Sequence, residues 1–207
     1  NIFPAFPHHK NRDEYFFFEG KNFVNNFNKK EKLKILEFSI NKDGWTEDLT
    51  KMADHHISIN HPIDIASREL CIEFLEKYET SSQKIVLEIG CSSGNLIKKI
   101  IELKKYNYIG SDAIKKNIKK LSDLYTTTPF VVFDLLKNLF KKATCNALIM
   151  LNVLEHIKDD LSALNEANHL LKIGGILIIE VPSGKFLYDN YDKELTHFRR
   201  YNMSDII

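Results

Sequence analysis

The chain has 207 residues, 43% of them hydrophobic, and 29 Lys and Arg stand against 28 Asp and Glu for a formal charge of +1. That length suits one α/β domain with an extension, and near-neutral charge gives no electrostatic footprint for nucleic acid or an anionic membrane. No apolar run approaches the ~20 residues of a bilayer span, and three cysteines without metal-ligand spacing fit a reduced, cytoplasmic protein. Residues 1–30 mix aromatics, as in Tyr15-Phe16-Phe17-Phe18, with an Asn/Lys-rich run. No period holds there, so an irregular arm over apolar surface is expected. Lys32 to Ile40 reads as a short helix or strand, stopped by the turn cluster Asn41-Lys42-Asp43-Gly44. Thr46 is placed to cap a helix through Met52, and His61-Pro62 opens another that runs to about Tyr78. Trp45, His55, His56 and His61 crowd this stretch, but no acid or thiol accompanies them at fixed offset. No metal is expected there; a helical cap over a cleft is a better account, and structural packing alone a better one still. Residues 1–80 are therefore an arm and helical cap, and residues 81–207 a ligand-binding α/β domain.

From Lys84 onward strand and helix patterns alternate, the signature of a doubly wound, mostly parallel sheet. Lys84 to Ile89 is a buried strand, continuous in hydrophobicity, and Leu96 to Leu103 has helical period. Tyr106 to Ser111 is the second strand, ending at Asp112, and Ala113 to Tyr125 its helix. Thr128 to Phe133 is the third strand, ending at Asp134-Leu135, and Cys145 to Leu151 the fourth, with Asn152 to His156 at its carboxyl end. Lys158 to Leu171 is an amphipathic helix closed by Gly174-Gly175, before a fifth strand from Ile176 to Val181.

The turn Gly90-Cys91-Ser92-Ser93-Gly94 between the first strand and its helix admits three readings. A dinucleotide fingerprint wants a glycine spacing this loop lacks. A nucleophile elbow matches G-x-S-x-G letter for letter, yet no oxyanion loop precedes it. The third is a turn whose glycines let backbone approach a nucleoside-bearing ligand at the carboxyl ends of the strands. Acids at successive strand ends favour it. Asp112 is placed to accept ribose hydroxyls, with Ala113 beside it, and Asp134 to accept an exocyclic amine, with Leu135 lending an edge. Glu88 is placed to hold the loop or an ammonium group, and Asn152 to complete the pocket. The alternative for each acid is a helix cap, most plainly Asp112 before Ala113.

Val86-Leu87-Glu88-Ile89-Gly90-Cys91-Ser92-Ser93-Gly94, Gly110-Ser111-Asp112, Phe133-Asp134-Leu135, Asn152-Val153-Leu154-Glu155-His156 and Leu171 to Leu177 together resemble the successive motifs of class I S-adenosylmethionine-dependent methyltransferases. The nearest flavour is the group with L-E-H after strand four. The resemblance covers about residues 84–182 and implies a seven-stranded sheet, of which the last two strands are not found before Ile207. It implies S-adenosyl-L-methionine as cofactor, held by Glu88, Gly90, Cys91, Ser92, Gly94, Asp112, Ala113, Asp134, Leu135 and Asn152. Ser92 stands where the middle glycine is usual. Methyl transfer is an in-line displacement governed mainly by alignment, so a base is optional. His156 and His197 are the candidate catalytic groups, and Arg199, Arg200 and Tyr201 the candidate substrate-binding ones; the alternative is that the arginines pair with nearby acids. The expected acceptor is a small molecule or a glycan- or lipid-type compound, methylated at oxygen or nitrogen, with no nucleic acid involved. The rival functions are a serine hydrolase on Ser92, a non-catalytic nucleotide-binding module, and a nicotinamide-binding protein.

Overall fold

The computed structural model describes residues 2–11, 13–38, 46, 48–49, 61–79 and 81–206. Trp45, His55, His56 and most of the helix expected from Thr46 to Met52 lie outside these residues. Where an irregular arm is expected, four short antiparallel strands form a sheet: β1 (Phe6–Pro7), β2 (Tyr15–Glu19), β3 (Asn22–Asn25) and β4 (Lys32–Leu33). The turn between β2 and β3 uses Gly20 at φ +66°, a backbone state glycine reaches without steric cost. Next, β5 (Leu36–Glu37) leaves this small sheet and joins the large one. Helix α1 (Pro62–Tyr78) follows, with proline in its first turn, where a missing N–H costs nothing.

The large sheet takes β5, β6 (Lys84–Ile89), β7 (Tyr106–Asp112), β8 (Phe130–Val132), β9 (Cys145–Leu151) and β10 (Leu171–Glu180). Its order is β10-β9-β6-β7-β8-β5, and every pairing is parallel. All six carboxyl ends therefore lie along one rim. The order reverses between β6 and β9, which makes that gap the switch point where open α/β sheets hold ligands. Helices α2 (Ile97–Glu102), α3 (Lys115–Leu124) and α4 (Asp160–Leu170) supply the crossovers, and a short α5 (Asn190–Glu194) follows β10. The fifth strand begins at Leu171, ahead of the expected Ile176, with a register shift between those residues around Gly174 at φ +75°.

The sheet buries both faces. On one, Cys71 and Leu75 of α1, Ile97 and Ile100 of α2, and Ile118 and Leu121 of α3 pack on Val86, Tyr108, Phe130 and Ile149. On the other, α4 covers β9, but the link from β8 to β9 contains only a single 3-10 turn, Leu135–Lys137. The N-terminal aromatics fill what a longer helix would cover. Phe6 meets Phe23 and Phe140 edge to face at 4.9 and 5.8 Å, and Phe140 meets Phe38 and Phe133 at 5.0 and 5.4 Å. Phe6 is fully buried. Phe6→Ala is therefore expected to lower unfolding free energy by about 3–5 kcal/mol, the usual loss for deleting a buried ring. Urea denaturation measures it; a loss under about 1 kcal/mol would mean the small sheet does not seal the core.

Candidate functional site

The turn after β6 is a strained, anchored bend. Gly90, Ser92 and Gly94 all have positive φ, +78°, +44° and +84°. A Cβ on Gly90 would sit 2.5 Å from Val153 Cγ2, and one on Gly94 2.4 Å from Leu121 Cδ2. Ser92 adopts the left-handed state that its glycine-like position in the motif demands, which a non-glycine residue enters at a cost of about 1–2 kcal/mol. The amides of Gly90 and Cys91 both donate to the Ser111 carbonyl at 2.9 Å. The Ser111 hydroxyl donates to the Glu88 carbonyl at 2.8 Å. β6 and β7 thus fix the bend from below.

Asp112 clamps it from the side. One carboxylate oxygen accepts the Ser92 N–H at 2.8 Å and the other the Ile114 N–H at 2.7 Å. Asp112 thus holds the bend rather than capping the next helix, which begins at Lys115 with Ile114 at its N-cap and no side-chain cap. Asp112 is 6% exposed, and burial pushes its carboxyl up to about 6 against the pull of those two amides. No cation partners it among the described residues. Each of its oxygens keeps a further lone pair, the electron supply a vicinal diol would use. Glu88 is buried one strand away and accepts from the Tyr108 hydroxyl. Burial moves it to about 7, with the Tyr108 bond opposing and Asp112 adding to the rise. Tyr108 has no place among the expected site residues; the one signal for it is its alternation with Gly110 and Asp112 on a single face of β7.

Asp134 follows β8 and receives the Leu136 N–H at 3.1 Å, with Lys137 Nζ 3.1 Å away. Its neighbour Leu135 is buried and Ala113 half-buried. Asp112 and Asp134 lie at the ends of neighbouring strands, since β7 pairs with β8 and the Phe133 N–H donates to the Asp112 carbonyl. Asn152, at φ +52°, leaves β9 with its amide on the Glu180 carbonyl at 3.0 Å. The cofactor-side residues expected from sequence therefore gather on one rim of the sheet, around the switch point. The donor set fits an adenosyl amino acid: Glu88 and Asp112 are buried with no cation beside them among the described residues, the bend is open to close backbone approach, and Leu135 offers an apolar edge. Among the described residues no imidazole hydrogen-bonds Ser92, so the hydrolase triad does not assemble.

The other candidates form a second cluster beside the bend, because Val153 abuts Gly90. His156 and His197 meet with ring centroids 4.7 Å apart. Burial, reinforced by His197, brings His156 down to about 4, and burial lifts Glu155 to about 8. His197 Nδ1 lies 2.8 Å from Asp192 Oδ1, and Arg200 Nε donates to both Asp192 oxygens at 2.9 and 2.8 Å. Burial pushes Asp192 up, yet the bonds from His197, the Asp189 amide and Arg200 hold it below the usual carboxylate range. Arg199 pairs with Asp160 at 2.5 Å, and the Tyr201 hydroxyl donates to the same acid at 3.0 Å. The predicted substrate residues are thereby tied to Asp160 and Asp192, two acids missing from the sequence-level set. A surface groove of about 310 Å³ lined by Lys185, Tyr188, Phe198, Arg199 and Arg200 runs past them.

The methyltransferase domain family matches residues 64–205. A tRNA U34 carboxymethyltransferase from Helicobacter pylori is 30% identical over 104 residues, a match that takes 47% of this chain and only 40% of that protein. The fold is similar to that of the YcgJ protein from Bacillus subtilis, with TM-score 0.56, 17% identity, and 68% of this chain and 64% of that one covered. It is also similar to phosphoethanolamine N-methyltransferase 2 from Haemonchus contortus, solved with S-adenosylhomocysteine, with TM-score 0.56, 16% identity, and 65% and 34% covered. The relative named for a tRNA nucleoside overturns the expectation that nucleic acid plays no part. Net charge is a weak guide here because it averages the whole chain; Lys185, Arg199 and Arg200 share one groove, each paired with an acid, Asp205, Asp160 and Asp192. Among the described residues no helix is long and apolar enough to cross a membrane. From residue 64 to residue 205, the chain belongs to the family of S-adenosylmethionine-dependent methyltransferase domains.

Proposed function

We propose that this chain binds S-adenosyl-L-methionine across the ends of β6, β7, β8 and β9 and passes its methyl-derived group to a nucleoside of tRNA. The observation that carries the cofactor half is Asp112, buried with no cation partner among the described residues and hydrogen-bonded to the bend it borders. In this reading Asp112 accepts the ribose hydroxyls and Asp134 an adenine amine beside Leu135. Glu88, oriented by Tyr108, receives the ammonium, while Gly90, Cys91, Ser92, Gly94, Ala113 and Asn152 line the contact. When bound, the cofactor supplies an electrophilic carbon on sulfur, and the chain supplies alignment and a dry wall. His156 and His197 face the acceptor from the β9 side. The acceptor half rests on the tRNA-directed relative and on the groove, where the donors of Arg199, Arg200 and Lys185 left over by their pairs with Asp160, Asp192 and Asp205 can meet phosphates, and Tyr188 and Phe198 can stack a base.

Calorimetric titration with S-adenosylhomocysteine tests the cofactor half. One site per chain is expected, with no heat from NAD. Both Glu88 and Asp112 must be ionised to serve a cationic, hydroxyl-rich ligand, and both have raised values. Affinity is therefore full above about pH 7.5 and falls as pH drops through about 7 and then about 6, steepening toward about tenfold per unit for each proton taken up. Affinity that is flat from pH 8 to pH 5.5 would remove these acids from the site. Transfer of label from the cofactor to tRNA, absent with mononucleosides and small amines, tests the acceptor half.

A further inference from the structure

Beside the bend, one buried acid has no assigned task. Glu155 is 1% exposed, and neither of its carboxylate oxygens has a hydrogen-bond partner among the described residues. An unsatisfied buried polar group costs about 1–3 kcal/mol, and more when charged, so a fold that retains one holds it for something. Its Oε1 lies 3.9 Å from His156 Nε2, and one ligand atom each from Glu155, His156 and His197 falls within 4.8 Å of the other two. His197 is already oriented: with Nδ1–H on Asp192, its Nε2 keeps a lone pair, and Arg200 with the Asp189 amide fixes Asp192 in turn. A carboxylate behind an imidazole is the usual outer partner of a metal-bound histidine.

We propose that Glu155, His156 and His197 form a binding site for a divalent transition-metal cation. Two imidazoles and one carboxylate suit Zn²⁺, Mn²⁺, Co²⁺ or Fe²⁺, whereas Mg²⁺ and Ca²⁺ prefer all-oxygen shells. Three protein ligands leave positions open for water or for an oxygen or nitrogen of the acceptor. The site's role toward an acceptor rests on the function proposed above; its affinity for the cation does not. A second trio, His8, Glu14 and Glu31, brings ligand atoms equally close, but its groups are occupied. Asn25 donates to both acids, and His8 Nδ1 takes the Lys10 and Asn11 amides.

The test titrates the chelator-stripped full chain with Co²⁺, read by its visible absorption bands, and with Zn²⁺ by calorimetry. One cation per chain is expected, at least tenfold weaker in His197→Ala and in Glu155→Gln and unchanged in Glu14→Gln. Wild-type chain that takes up no stoichiometric Co²⁺ or Zn²⁺ overturns the site, whatever the variants do. So does equal affinity in His197→Ala and Glu155→Gln, or loss only in Glu14→Gln. S-adenosylhomocysteine titrated into the same stripped chain separates the two proposals: heat there with no cation uptake removes the metal site alone.

Discussion

Asp112→Asn is expected to weaken S-adenosylhomocysteine binding by about a hundredfold, close to 2.7 kcal/mol. The amide keeps one acceptor oxygen where the carboxylate has two, so its NH₂ is turned toward either the Ser92 N–H or the Ile114 N–H, donor against donor. Hydrogen bonds to a charged group contribute about 1.5–3 kcal/mol each, and the hydroxyls of a ribose lose the same charge. Asn is nearly isosteric, so packing around the bend is retained. Calorimetry at pH 8 reads the loss. Binding within threefold of wild type, with an unchanged melting temperature, would mean that Asp112 only fastens the loop.

Gly94→Ala is expected to be strongly destabilising. The new Cβ would land 2.4 Å from Leu121 Cδ2 and 3.2 Å from Ile97 Cγ2, on a backbone at φ +84°. Leu121 and Ile97 are buried in α3 and α2, so neither can swing away cheaply. Left-handed strain of about 1–2 kcal/mol and overpacking of about 1–3 kcal/mol add to a destabilisation of roughly 3 kcal/mol. Gly20→Ala provides the contrast: φ is +66° there but nothing lies within 4 Å of the added carbon, so only the strain applies. Urea midpoints for the two variants compare the terms directly. Equal losses would mean that the contact with Leu121 relaxes freely.

The sheet domain was legible because its signals are local. The fourth strand stands where its apolar run does, Cys145–Leu151, since a strand buried on both faces needs no partner to declare itself. The glycine bend and the strand-end acids were readable for the same reason: each sits at a punctuation mark between two periodic runs. The N-terminal sheet was not. Its strands are two to five residues long, too short for a period to emerge. In β2, Phe16 and Phe18 are buried and Phe17 half-buried, so aromatics on both faces hide the alternation. The second cluster was half legible. His156 and His197 stood out by type, but Asp192 and Asp160 meet Arg200, Arg199 and Tyr201 only after the chain beyond β10 folds back onto the end of β9. Nothing local marked Glu155 as lacking a hydrogen-bond partner among the described residues, because that is a property of the assembled fold.

The pairing of β5 with β8, Leu36 beside Val131 and Glu37 beside Val132, also sets a timetable for synthesis. The nascent chain presents Phe6, Phe16, Phe18 and Phe23 long before the partner strand leaves the ribosome. At ordinary elongation rates of about 5–20 residues per second, that aromatic surface waits several seconds for its cover. Translation of this protein thus opens a window for chaperone capture, and stalling the ribosome upstream of Phe130 would hold it open.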